Sequence, residues 1–257
     1  MMRRFLSILA AVAASLAAPR DSAASATLSL AVTAGNVPPG GLIGLQVRCE
    51  GAAPDALVVK IAFDTNRLSV WGAATGAAAA AAEKAMIWRA TEDGAALVLY
   101  AGAGEMSPGH AATVYLEAES GAAAGPGLLA ISEASAATSD ARALSVQAAA
   151  ASLTIAPLPN RHSADTNANG RIGLGELLRV VQLYNTGAYG CDPGSEDGFA
   201  PGGADRSCGP HTLDFRPPAW TLDLSELLRA IQLYNAIGGA YHANPEGEDG
   251  FAPGLPD

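Results

Sequence analysis

The chain repeats itself, and the repeat restricts its fold more than any other feature. DTNANGRIGLGELLRVVQLYN occupies residues 165–185, and WTLDLSELLRAIQLYN occupies 220–235. A tail, EDGFAPG, follows each copy, at 196–202 and 248–254. A duplicated stretch this short builds two small units that must share one core. Within each copy the apolar residues recur at the three-to-four spacing of an amphipathic helix, and a polar, glycine-bearing loop precedes the first.

That first loop has oxygen-bearing side chains where a hard cation would need them. Ca²⁺ takes six to eight oxygens, and a twelve-residue loop supplies them from positions 1, 3, 5, 7, 9 and 12, with glycine at 6. Counting from Asp165 puts Asn167 at 3, Asn169 at 5, Gly170 at 6, the carbonyl of Arg171 at 7 and Glu176 at 12. Asp165, Asn167, Asn169, Arg171 and Glu176 are therefore the candidate metal ligands, and one structural Ca²⁺ is expected. Only two of these groups carry charge, which points to weak binding on the order of 10⁻⁴–10⁻³ M, as in extracellular modules. The second copy departs from the rule. Counting back from Glu226 puts Phe215, Pro217 and Ala219 at the first three ligand positions and Trp220 in the glycine's place. A one-residue insertion would instead bring Asp214 toward position 1. This loop is expected to be metal-free, with Trp220 and the prolines filling it.

The chain has 257 residues, a net charge of −10 and no basic run, which argues against nucleic acid and anionic lipid as partners. Residues 1–26 read as a bacterial-type secretory signal: a basic start, an apolar stretch at 5–18 and small residues at Ala24 and Ala26. The apolar run is shorter than the roughly 20 residues of a membrane span, so an extracellular location is expected. An oxidising compartment would let Cys191 and Cys208, which bracket the segment between the repeats, form a disulfide. Cys49 would then remain as a buried thiol.

Residues 27–155 alternate with period two. Leu28, Leu30 and Val32 form one such set, Ile43, Leu45, Val47 and Cys49 a second, and Leu57, Val59, Ile61 and Phe63 a third. Eight or nine short strands separated by Pro/Gly turns give an antiparallel sandwich of jelly-roll or immunoglobulin-like type. The alanine run at 77–85 can form a helical turn. No catalytic set assembles from this half: His110 lacks a triad partner, and Glu105, Glu117 and Glu119 lie on separate turns or faces. Trp71 and Trp88 would stack on sugars if exposed, although a Trp in a sandwich is more often core. Residues 156–161, containing APLPN, break both periodicities and form a linker. The duplicated module spans 162–257, with repeats at 162–202 and 211–254.

The strings ATLSLAV, GLIGLQVR and ALVVKIAFDTNRLSV resemble the opening strands of cohesin modules, with Phe63-Asp64 followed by Leu68-Ser69-Val70 in the family's place. The tandem of calcium loop and following helix resembles the dockerin family through Asp165, Asn167, Asn169, Gly170, Ile172, Glu176 and Leu177-Leu178. The resemblance implies a multidomain chain: a nine-stranded cohesin-like jelly roll, then a small all-α dockerin-like module of EF-hand type. It implies a non-catalytic scaffold or adaptor that binds protein partners through either module, linked to polysaccharide-degrading or cell-surface complexes. Dockerins bind through loop and helix residues of each repeat, which here are Arg179, Gln182, Ser225, Arg229 and Gln232. Leu177, Leu178, Val181, Leu227, Leu228 and Ile231 are expected in the module's own core, with Phe199 and Phe251 tucked against the helices. The alternative is a carbohydrate-binding module with a calcium-stabilised appendage.

Overall fold

The computed structural model describes residues 25–102 and 104–256. Most of the expected signal segment lies outside them. Ser25 and Ala26 already belong to the first strand, so the sheet starts earlier than residue 27.

Among the described residues, eleven strands and one short helix come first. They are β1 (Ser25–Val32), β2 (Asn36–Val37), β3 (Leu42–Gly51), β4 (Ala56–Ala62), β5 (Leu68–Thr75), α1 (Ala77–Ala81), β6 (Ala85–Thr91), β7 (Gly94–Tyr100), β8 (Gly109–Ala118), β9 (Gly125–Ala137), β10 (Ala143–Ala149) and β11 (Ala151–Ile155). The strand order is β5-β8-β3-β1-β10-β9-β4-β7-β6, with β11 pairing β9 and β2. Register follows the alternation in the sequence. Leu28 stands opposite Cys49 and Leu30 opposite Val47, while Val59 stands opposite Leu97 and Ile61 opposite Ala95. Same-face partners in adjacent strands meet side by side, so the alternating leucines and valines merge into one apolar layer. Leu28, Leu45, Leu57, Val59, Leu97, Leu99 and Leu116 are all fully buried. The sheet is not wholly antiparallel, because β1 runs parallel to β10. Parallel neighbours cannot be joined by a hairpin, and here the chain traverses the rest of the sheet between them.

Cys49 is a free, buried thiol as expected, and burial raises it above its usual range, with Glu50 adding to the shift. One buried charge was not legible in the sequence. The Lys84 ammonium is enclosed, donating to Asp55 at 2.7 Å and to the Ala101 carbonyl at 2.6 Å. Trp71 and Trp88 are 43% and 39% exposed rather than core, and Trp71 packs edge-on to Tyr115.

The duplicated part contains α2 (Leu174–Asn185), β12 (Tyr189–Cys191), β13 (Phe199–Pro201), α3 (Leu224–Asn235), a 3₁₀ turn (Ile237–Gly239), β14 (Tyr241–Ala243) and β15 (Phe251–Pro253). Two small antiparallel hairpins, β12–β13 and β14–β15, thus accompany the helices, so the expectation of an all-α module is corrected. The EDGFAPG tails are what build them: each returns a strand to the Tyr that follows its helix. Asp223 accepts the Glu226 amide at 3.0 Å while Glu226 accepts the Asp223 amide at 2.7 Å, a reciprocal capping box. Gly187, at φ +69°, lies just beyond the end of α2.

By contact the described residues form two compact units. One holds 25–35, 44–117 and 126–153; the other holds 36–43, 118–125 and 154–256. No helix among the described residues is long and apolar enough to cross a membrane.

Candidate functional site

Both helices bury one stripe in a shared core of Leu177, Val180, Leu183, Ala230, Leu233, Tyr189, Tyr241, Phe199 and Phe251, with Leu227 and Ile231 packed against it. Leu178 and Leu228 do not join it. They are 58% and 49% exposed, and Leu174 and Leu224, one turn earlier, are 58% and 59% exposed. The inward stripe on α2 runs through 177, 180 and 183–184, so position 178 falls about 100° off it. Val180 and Ala230 fill the places expected of those leucines. Each helix therefore carries the same exposed leucine pair at i and i+4.

The residues expected to meet a partner are tied down inside the module. Arg179 donates to Asp197 at 2.8 and 3.1 Å and to the Phe199 carbonyl. Arg229 does the same with Asp249, at 3.1 and 3.0 Å, and with the Phe251 carbonyl. Gln182 and Gln232 are exposed and accept from these arginines at 2.7 and 3.1 Å. Ser225 is exposed and accepts from Arg216 at 2.7 Å. The aspartate side chains of the two EDG tails are enclosed and anchor the arginines, while Glu196 and Glu248 beside them are exposed. Burial works against charge on Asp249, but its neighbours His162 and Arg229 outweigh it and hold the carboxyl well below its usual range.

The first loop is organised around two acids. Asp165, fully buried, accepts the amides of Asn169 at 3.1 Å and Gly170 at 2.8 Å, and the Tyr241 hydroxyl at 2.7 Å. Glu176 accepts the amide and hydroxyl of Thr166 at 2.9 and 3.2 Å, the amide of Asn167 at 3.4 Å and that of Gly173 at 2.7 Å. Asn167 and Asn169 turn their side-chain oxygens onto the loop, accepting from Asn169 N at 3.1 Å and Arg171 N at 2.9 Å. The Arg171 guanidinium donates to the carbonyls of Gly238 at 2.7 Å and Gly40 at 3.4 Å. Gly170 has φ +74°, a backbone conformation that favours glycine, and a Cβ there would sit 3.1 Å from the end of the Leu158 side chain, which would have to shift to admit it.

These donor groups are all neutral, so two carboxylates share one loop with no cation among their hydrogen-bond partners. That surplus, with two amide oxygens beside it, fits a hard dication. Among the described residues no three His, Cys, Asp or Glu side chains cluster as a metal set. The loop's chemistry is different: carboxylate, amide and carbonyl oxygens, the donors a hard cation prefers.

The second loop keeps the skeleton and loses the amides. Asp214 takes the place of Asp165, accepting the Tyr189 hydroxyl and the Trp220 amide, and Glu226 accepts the Arg216 and Asp223 amides at 2.9 and 2.7 Å. The alternative register with one inserted residue is therefore the one adopted, not that with Phe215 at position 1. Trp220 stands at φ +71° in the place of Gly170, and the Pro217-Pro218 bond is cis. The Arg206 guanidinium lies over the Trp220 ring at 4.8 Å. Burial raises the Glu226 carboxyl, and the charges of Asp223 and Asp214 add to the shift.

Sequence reasoning missed two buried histidines. His162 and His211 stand with ring centroids 5.8 Å apart, each accepting at Nδ1 the amide two residues on, at 3.0 and 3.1 Å. The signal was present as H-S-A-D at 162–165 and H-T-L-D at 211–214. Around them the repeats bond reciprocally: Ser163 N to Thr212 Oγ1 at 2.9 Å, and Thr212 N to Ser163 Oγ at 3.2 Å. Tyr189, which follows the first helix, serves the second loop; Tyr241, which follows the second helix, serves the first. Burial and the adjoining acid hold both hydroxyls above their usual range, so they stay donors. Cys191 and Cys208 form a disulfide closing the segment between the repeats.

No family model matches the chain, and no curated protein matches it. Among solved structures, it is similar to the sixth cohesin of scaffoldin B from Acetivibrio cellulolyticus, solved with a mutant dockerin. The identity is 15% over 51% of this chain and 99% of that one, with a TM-score of 0.45. A non-cellulosomal cohesin from the hyperthermophilic archaeon Archaeoglobus fulgidus is 13% identical over 52% and 92% of the two chains, with a TM-score of 0.45. A cohesin module of a Clostridium perfringens family 33 glycoside hydrolase is 12% identical over 51% and 96%, with a TM-score of 0.42.

Proposed function

We propose that this chain is a secreted, non-catalytic assembly protein, with a cohesin-like β-domain and a dockerin-like module that holds one structural Ca²⁺. The observation that carries the assembly reading is the duplicated helix face. Leu174 and Leu178 on α2 match Leu224 and Leu228 on α3, all four about half exposed or more. Buried arginine–aspartate anchors hold the helices beneath them. Rigid apolar anchors shown twice suit a partner surface that either repeat can engage. Asp165, Asn167, Asn169, the Arg171 carbonyl and Glu176 would hold the ion in the first loop, and the two carboxylates, which accept hydrogen bonds from neutral donors, support this reading. The basic, apolar and small-residue order of 1–26 supports secretion.

The test uses the full secreted chain as bait against the extracellular proteins of its own source. Leu178→Asp and Leu228→Asp singly should each retain capture, and the double variant should lose it. Capture unchanged in the double variant would overturn the helix-face reading. The exposed Trp71 and Trp88 favour a second reading, carbohydrate binding by the β-domain. Retention on polysaccharide that disappears in Trp71→Ala or Trp88→Ala, with no protein captured, would replace the first reading with this one.

A further inference from the structure

The acid at the head of the first loop is held by the other repeat. Tyr241 donates its hydroxyl proton to Asp165 Oδ2 at 2.7 Å and accepts the His162 amide at 3.0 Å. The backbone around it is bonded into the same loop. Tyr241 N donates to the Gly170 carbonyl at 3.2 Å, and Ile172 N to the Gly239 carbonyl at 2.8 Å. Arg171 Nε donates to the Gly238 carbonyl at 2.7 Å. A Cβ at Gly239, whose φ is +74°, would meet the Ile172 carbonyl at 2.4 Å, so this approach requires glycine.

We propose that residues 238–243, the arm after the second helix, form the outer shell of the calcium loop, and that Tyr241 sets its affinity by fixing the Asp165 carboxylate in advance. The proposal rests on the calcium reading of the first loop. Its physical basis is the division of labour between the two oxygens. Oδ2 takes Gly170 N and Tyr241 OH and is committed to the protein, while Oδ1 takes only Asn169 N and keeps lone-pair capacity for an ion. Without the hydroxyl, the buried carboxylate keeps only the Gly170 and Asn169 amides, so its orientation is less firmly set before the ion arrives. Groups that orient metal ligands in this way change affinity by roughly 10–100-fold. A positioning residue supplied by the second repeat also makes the ion a bond between repeats. By linkage, calcium must tighten the arm as much as the arm tightens calcium.

The pseudo-symmetric pair provides the control. Tyr189 makes the same bond to Asp214 in the loop that lacks the asparagines. On the full chain, Ca²⁺ titrations after chelator treatment should give Tyr241→Phe a Kd about 10-fold higher. Tyr189→Phe should leave Kd unchanged, and melting in chelator should show both variants destabilised alike. Equal Kd for Tyr241→Phe and wild type, or equal weakening in both variants, would overturn the proposal while the calcium reading stands. Absence of binding in the wild type would instead remove the calcium reading itself. Hydrogen exchange on the wild type needs no substitution. Added Ca²⁺ should slow the Tyr241 amide, bonded to Gly170, and not the Tyr189 amide, bonded to Trp220. Equal protection at both amides would count against the arm's role.

Discussion

Replacing Arg229 with alanine should unfold the duplicated module more readily than the equivalent change at Arg179, and the structure says why. Asp249 is completely enclosed, and its partners are Arg229, the Phe251 amide at 3.2 Å and the His162 ring at 3.6 Å. Removing the guanidinium strands a buried carboxylate and also frees the Phe251 carbonyl. Breaking a buried pair from one side costs about 3–5 kcal/mol. Asp197 is almost as buried, but it retains the Phe199 amide at 3.0 Å and the Ser195 hydroxyl at 3.1 Å when Arg179 is lost. Gly247 takes the place of that serine in the second tail, so beyond the Phe251 amide Asp249 keeps only the longer contact to the His162 ring at 3.6 Å. One retained hydrogen bond to a charged group is worth about 1.5–3 kcal/mol. Arg179→Ala should therefore cost roughly half as much as Arg229→Ala, taking both principles together. Urea unfolding followed by Trp220 fluorescence would measure both. The double variant Arg229→Met/Asp249→Asn should recover much of the loss, since a neutral pair leaves no buried charge. Equal losses in the two single variants, or a loss below about 1 kcal/mol for Arg229→Ala, would refute the reasoning that desolvated charge dominates here.

Two further perturbations act on the same module. Reducing the Cys191–Cys208 disulfide, whose cysteines are 17 residues apart, should lower stability by about 3 kcal/mol through the freed unfolded chain; unfolding with and without reductant measures it, and an unchanged midpoint would contradict it. Burial, reinforced by His162, pushes His211 down to about 3. The folded state therefore refuses a proton that the unfolded chain accepts near pH 6.5. This contribution is complete above pH 6.5 and is lost as pH falls toward 3, at about 1.4 kcal/mol per pH unit. Urea midpoints that stay flat between pH 6.5 and 4 would rule it out.

Much of the β-domain was legible because a half-buried strand shows its faces through alternation. Leu28, Leu30, Leu45, Val47, Val59 and Ile61 were assigned inward from period two alone, and register joined them into the buried layer. Position 178 was misjudged for a related reason. A run such as Glu-Leu-Leu-Arg puts two leucines side by side in sequence, and only the location of the partner helix decides which turns inward. Lys84 was not legible at all, since its acceptors, Asp55 and the Ala101 carbonyl, lie 29 and 17 residues away.

The sequence by itself determined the duplication, the twelve-residue loop spacing with glycine at its turn, the cysteines placed to pair and the two helices. The loop, its glycine and the helices are local, resting on residue types a few positions apart that backbone sterics and helical periodicity constrain directly, while the repeat and the cysteine pair are visible in the string itself. Tertiary structure alone decided that the repeats exchange tyrosines, so that Asp165 is held by Tyr241 and Asp214 by Tyr189. It also turned the arginines at 179 and 229 from surface candidates into buried anchors, and left the leucines at 174, 178, 224 and 228 facing outward. Those outcomes depend on which groups share one desolvated interior. Burial there makes a charge or hydroxyl seek a partner dozens of residues distant, and no local pattern records that partner.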